Sequence, residues 1–186
     1  MSNQEKIAKI IIYIVFVFYI LLMLKILFLS RVSFFELFDA QRGIDRSFNL
    51  VPFQSIIEFL SGNTENVRTF SYANLVGNIA IFVPLGFYIS FLRKELRKDK
   101  KVALCLLIVF IASLAVEIIQ WVFVIGTPDI DDIILNCIGG LIGILVCKLI
   151  MHIVKTETIL HAIIAIISVI CLPVIIYYLF FIMMIL

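Results

Sequence analysis

Charge is scarce in this chain. Asp, Glu, Lys and Arg make up 15% of its 186 residues, against about 25% in soluble domains. Apolar residues make up 63% and the mean hydropathy is +1.19, well above the roughly 45–50% apolar content of soluble chains. Histidine occurs only at His152 and His161. No Ser–His or Cys–His arrangement, metal-spaced histidine pair or phosphate-binding glycine loop is present, so the common hydrolytic, zinc and nucleotide chemistries have no motif to stand on. The four cysteines, Cys105, Cys137, Cys147 and Cys171, lie inside apolar runs without Cys-x-x-Cys spacing and read as small packing residues. No internal repeat suggests alternating access. No small-residue cleavage site follows the first apolar run, residues 10–29, so that run reads as a span and not as a cleaved signal.

What is present in quantity is long hydrophobic stretches. Five of them approach or exceed the roughly 20 residues needed to cross a bilayer core, near residues 8–29, 71–92, 102–125, 131–151 and 158–185. The expectation is an all-α integral membrane protein, residues 1–186 forming a single transmembrane domain. The link between spans one and two is too long for a simple turn. Its pieces 32–38 and 48–60 mix aromatics with charges and read as interfacial or re-entrant helices. His152 and His161 flank the last link and read as interfacial residues.

Lysines and arginines set the expected orientation. Lys6 and Lys9, the basic cluster at 93–101, and Lys148 with Lys155 all fall on one side if five spans alternate. That side is cytoplasmic by the positive-inside rule, which puts the N-terminus inside and the C-terminus outside. The basic cluster also suits contact with anionic lipid. The outer side receives Arg31, Arg42, Arg46 and Arg68 mixed with acids, and Lys25 can snorkel to it from span one.

Against this oily background the polar residues within the spans stand out. A charge in a bilayer core costs at least about 2.5–3.5 kcal/mol on insertion scales, so each needs a partner. Glu117 and Gln120 are one helical turn apart in span three, and Glu117 lies nine residues before Gly126, roughly 13 Å below the outer mouth at 1.5 Å per residue. Asn74 and Asn78 in span two, and Asp132 and Asn136 in span four, are each at i and i+4 near the outer ends. Three helices thus place amides and carboxylates in one outer layer. Asp129 and Asp131 follow Thr127-Pro128 and read as helix-start residues, acids at the positive end of the dipole. Glu117 has no basic neighbour in sequence, which makes Arg42, Arg46 and Arg68 its candidate partners. Gly139, Gly140 and Gly143 would let helices approach closely, and Pro84 predicts a kink in span two.

These residues, in this order, resemble the VanZ-like family of bacterial membrane proteins. The matching elements are Asn49-Leu-Val-Pro52-Phe53, Asn74-Leu-Val-Gly77-Asn78-Ile-Ala-Ile-Phe82-Val-Pro84-Leu-Gly86, Glu117-Ile-Ile-Gln120, and Asp129-Ile-Asp-Asp132-Ile-Ile-Leu-Asn136-Cys-Ile-Gly139-Gly140. They span a core of about 48–147. Members commonly carry an arginine just before the aspartates, where this chain has Gly126-Thr-Pro128. The resemblance implies a bacterial plasma-membrane protein linked to resistance against teicoplanin and related lipoglycopeptides, which act at the outer membrane face on cell-wall precursors.

Three functions compete. In the first, the outer polar layer binds or modifies an envelope lipid headgroup, a carrier-lipid phosphate or the lipid-exposed part of a lipoglycopeptide. Asn74, Asn78, Glu117, Gln120, Asp132 and Asn136 supply hydrogen bonds, and Arg42, Arg46 or Arg68 supplies positive charge. In the second, the protein is an enzyme acting on a lipid-linked substrate, with Glu117 and Asp132 as catalytic candidates and Asp132 with Asp129 holding a divalent cation, Mg²⁺ or Ca²⁺. The third is a small proton-coupled transporter. Membrane lipids are the expected partners in each case, and nucleic acid is not.

Overall fold

The structure is a computed structural model that describes residues 3–29, 49–53, 57, 61, 65–93, 98–125 and 128–180. Its architecture is all-α. Helix α1 spans Asn3–Leu24 and runs into a π-helical turn, Lys25–Leu29; α2 spans Glu65–Leu92, α3 Lys98–Val122, α4 Ile130–Ile153 and α5 Glu157–Phe180. Among the described residues the nearest thing to a strand is one isolated bridge between Asn49 and Asp129. Five helical segments are long and apolar enough to cross a membrane: Asn3–Phe28, Asn74–Leu92, Val102–Val122, Ile130–Ile153 and Glu157–Phe180. They coincide with the five spans read from hydropathy. The interfacial segment 32–38 lies outside the described residues, and of 48–60 only 49–53 and 57 are described. Helix α2 runs through Pro84 as one element.

The chain divides into two compact units, Met1–Ser33 with Leu149–Leu186 and Phe34–Lys148. The first holds α1 and α5, packed along one another. Helix α1 buries Ala8, Ile12, Val15, Tyr19 and Met23, spaced four, three, four and four apart, so one stripe of a 3.6-residue helix is covered. Ile7, Ile10, Ile14, Val17 and Leu21 on the other faces are exposed, as expected where the surrounding solvent is hydrocarbon. The two helices run parallel. Near their N-termini Thr158 donates to Glu5 at 2.6 Å. Near their C-termini Lys25 Nζ donates to the carbonyl oxygens of Tyr178 and Leu179. Those carbonyls lie in the last described turn of α5, so the lysine ties the two helices together at that level. The lysine expected to snorkel toward the membrane surface reaches the backbone of the neighbouring helix.

His161 is a second departure from expectation. It is 2% exposed, with Nδ1 2.7 Å from the Glu157 carbonyl oxygen, because it falls on the buried stripe of α5 with Leu160, Ile164 and Ser168. It is not an interfacial residue, whereas His152 is exposed.

The second unit is held by glycine. A Cβ placed on Gly139 would strike the carbonyl of Ile79, one on Gly143 the carbonyl of Val83, and one on Gly86 the carbonyl of Gly140. Helices α2 and α4 therefore meet backbone to backbone, as a small-xxx-small stripe permits. Gly140 is filled by the Val109 side chain of α3.

Candidate functional site

One end of the second unit is shaped by how two helices stop and start. Helix α3 ends in a Schellman motif: Ile125 N donates to Gln120 O at 2.9 Å and Val124 N to Trp121 O at 3.3 Å. Val124 takes the left-handed position usually given to glycine, with φ 54°. Helix α4 begins two residues beyond Pro128, so the proline stands outside the helix and not in its first turn. Asp129 is the N-cap, its Oδ1 accepting from Asp131 N at 2.8 Å.

A short strap, 49–53, is clasped onto this helix start. Asn49 N donates to Pro128 O at 2.9 Å, and Ile130 N donates to Asn49 O at 3.1 Å. Asn49 Nδ2 reaches Asp129 Oδ2 at 2.9 Å, and Phe53 N reaches Asp131 Oδ1 at 2.5 Å. The strap turns through Pro52 and Phe53, and Phe53 has φ 67°, a conformation costing a non-glycine residue about 1–2 kcal/mol. The Phe53–Asp131 bond holds it there. The aspartates read as helix-start residues thus do two jobs, capping α4 and fastening a distant piece of chain to it.

Glu117 joins the same junction, since its Oε2 accepts from Asp129 N at 3.1 Å. It is 5% exposed, and a backbone N–H supplies part of the satisfaction that a buried carboxyl group needs. This links the last turns of α3 to the first turn of α4. Of the cations proposed for Glu117, Arg42 and Arg46 lie outside the described residues. Arg68 falls in the first turns of α2, and its side chain is not among those described.

Asp132 is gripped by the two asparagines of α2. Its Oδ1 accepts from Asn78 Nδ2 at 2.5 Å and from Asn74 Nδ2 at 3.1 Å, while Asn78 Nδ2 lies 3.4 Å from Asn74 Oδ1. The i, i+4 spacing places both amides on one face of α2, and the glycine contacts deeper in the membrane bring that face against α4. One turn below Asp132, Asn136 donates to Ser113 Oγ at 2.9 Å. Asn136 is 1% exposed, and its Oδ1 has no hydrogen-bond partner among the described residues. A buried acceptor left in that state costs about 1–3 kcal/mol.

The structure therefore unites Asn74, Asn78 and Asp132 directly, ties Asn136 to α3, and ties Glu117 to the start of α4. Gln120 is buried on the same face of α3 as Glu117. Among the described residues no group of three or more His, Cys, Asp and Glu side chains is placed to hold a metal ion. Asp129 and Asp132, the candidates for that role, are turned to Asn49 and to the α2 amides respectively. Two contributors were given no site role in the sequence reading, although Asn49 opens one of the family-matching elements. Ser113 lies four residues before Glu117, so helical periodicity alone could have placed it on the polar face. Asn49 stands some 80 residues from its partner Asp129, and no local signal connects them.

Beside this junction lies a cleft of about 240 Å³, lined by Leu50 of the strap, Leu114, Ile118 and Trp121 of α3, and Ile130 and Ile133 of α4, with Glu117 and Asp129 in its wall.

Comparison with known proteins identifies the family. The family model VanZ/LLP1 matches residues 16–152, a stretch that includes the polar groups of the α2, α3 and α4 junction. The chain is 33% identical over 125 residues to Protein VanZ of Enterococcus faecium, a match covering 63% of this chain and 67% of that relative. No solved structure matches.

Proposed function

The chain belongs to the VanZ/LLP1 family and is a multi-pass, all-α membrane protein, and from that premise we propose that its polar layer binds the headgroup of an envelope lipid or lipid-linked cell-wall precursor and so alters susceptibility to glycopeptides and lipoglycopeptides. The observation that carries this reading is the pairing of a pre-set polar cage with an unused acceptor. Asp132 is held rigidly by Asn74 and Asn78, and Asn136 one turn deeper offers a buried oxygen with no partner among the described residues. Donors already fixed in place lose little freedom when a ligand arrives, and a hydroxyl, amide or amine of the ligand would satisfy that oxygen. Gln120, Glu117 and the arginines Arg42, Arg46 and Arg68 are proposed to complete the site, the last three for phosphate.

The distribution of Lys and Arg supports an orientation with the N-terminus cytoplasmic and the C-terminus outside, which turns the layer toward the outer leaflet where cell-wall precursors are used. The parallel run of α1 and α5 fits five alternating spans.

The test is binding by the full chain in nanodiscs containing a panel of headgroups, with wild type compared with Asp132→Asn and Asn136→Leu. A headgroup preference weakened about tenfold or more in both variants, equivalent to about 1.4 kcal/mol or more, is the expected result. No preference in the wild type, or one untouched by both substitutions, would sink the proposal.

A further inference from the structure

The cleft under the strap is not needed to explain the polar layer, yet it is built from named parts of the same junction. Its apolar walls come from Leu50, Leu114, Ile118, Trp121 and Ile133. Its mouth continues an exposed stripe on α3. Leu107, Ile111, Leu114 and Ile118 are 51%, 55%, 38% and 51% exposed and stand four, three and four residues apart, so they form one face of a membrane-crossing helix. Lipid meets that face. At about 240 Å³ the cleft is smaller than the roughly 300–1,000 Å³ of sites that enclose a drug-sized molecule. Its size and polarity suit one hydrocarbon chain.

We propose that this cleft is a chain-binding subsite, taking the upper part of one acyl or prenyl chain of a membrane lipid that descends along the exposed stripe of α3. The inference deepens the headgroup reading and rests on it only for the identity of the lipid. Hydrocarbon gains little by leaving one apolar medium for another, because lipid tails are as apolar as leucine. What the cleft provides is registration. A chain seated between Ile118 and Ile133 under Leu50 sets its lipid's headgroup at the level of the strap and the start of α4, where Asn49, Asp129 and Asp131 are locked together. The strap is thus the roof of the subsite as well as its link to the polar layer.

The chain has a single tryptophan, and it lines this cleft. Trp121 fluorescence in vesicles of phosphatidylcholine, mixed with phosphatidylcholine brominated in the upper part of one acyl chain, therefore reads the subsite without labelling. Bromine quenches at close contact, so filling the cleft in Ile133→Phe should lower quenching by about half or more as the chain is pushed off the indole, dispersion contact being lost within an ångström or so. Ile111→Phe, on the same stripe but outside the cleft, should leave quenching as in wild type. Leu114→Phe, at the partly exposed mouth, serves as a second filling variant where Ile133→Phe does not give folded protein, and it should also reduce quenching. Quenching unchanged in folded filling variants, or reduced equally by Ile111→Phe, overturns the proposal. Because phosphatidylcholine is the only lipid used, loss of headgroup preference in the nanodisc assay would defeat the headgroup reading and leave this result standing, and the reverse outcome is equally readable.

Discussion

Both units of this protein are built from apolar helices yet are assembled by opposite means. Helices α1 and α5 bury Ile, Val, Leu, Tyr and Met along their stripes, with Ala8, Ala165, Ser168 and His161 between them, and they are joined near both ends by Glu5 with Thr158 and by Lys25 with the Tyr178 and Leu179 carbonyls. Helices α2 and α4 meet through glycines so close that a single added methyl would enter a neighbour's backbone, and α3 sets the Val109 side chain against Gly140. They also bury carboxylates and amides at the end where α3 stops and α4 starts. In a bilayer, apolar side chains gain nothing by hiding from lipid, so helices associate through packing and hydrogen bonding. The first unit takes the packing from large side chains. The second takes it from backbone contact, and the close approach lets short Asn and Asp side chains bridge from one helix to the next. Long side chains at the seam would hold the amides of α2 away from Asp132.

This difference can be broken most forcefully at the glycine seam. Gly143→Leu puts a branched side chain into the Val83 carbonyl and should cost about 3 kcal/mol, the upper end of overpacking penalties, seen as loss of monodisperse protein or a large fall in Tm in detergent. Gly77, in the same helix as Val83, has no atom within 4 Å of an added methyl. Gly77→Ala should therefore stabilise, by about 0.5–1 kcal/mol, the helix preference of alanine. Equal effects at the two glycines would mean that the seam is not where the unit is held.

The strap sharpens the comparison at a middle scale. Asp129→Ala removes the N-cap of α4 and the bond to Asn49 together and should cost about 1–2 kcal/mol. Hydrogen exchange should speed up at Ile130, Asp131 and Phe53 while α1 and α5 keep their protection. Uniform loss of protection across all five helices would show that the strap is not a local clasp.

The smallest effect belongs to the first unit. Lys25→Met deletes the donor to Tyr178 and Leu179, with an expected loss of about 0.5–1 kcal/mol from the hydrogen bonding. Its signature is faster exchange confined to the last described turn of α5. A fall in Tm as large as that of Gly143→Leu would erase the distinction between the units.

The five spans were legible from hydropathy because length and oiliness suffice to specify a membrane-crossing helix once every backbone group must be satisfied internally. The polar layer was legible too, since Asn74 with Asn78, and Asp132 with Asn136, carry i, i+4 spacing in the letters themselves. The glycine run announced close packing but not its partner. Which residue meets which was decided by contacts that no local pattern encodes. Asp129 and Asp131 looked like ordinary helix-start acids, and one of them is the cap, but their second task depends on a strap about 80 residues away in the chain. His161 looked interfacial by position along the chain, and its rotation about α5 made it buried. Glu117 had no neighbour in sequence, and its described partner is a backbone N–H brought round by the turn after α3.

The sequence by itself determined an all-helical membrane protein with a layer of amides and acids at one end, because periodicity and hydropathy act over a few turns of helix and need no partner. Only the tertiary structure decided that Asn74 and Asn78 grip Asp132, that a strap roofs an apolar cleft, and that Lys25 reaches the backbone of a parallel helix. Those pairings rest on distances across the fold, and hydrogen bonds form only where packing has already brought the groups to about 3 Å.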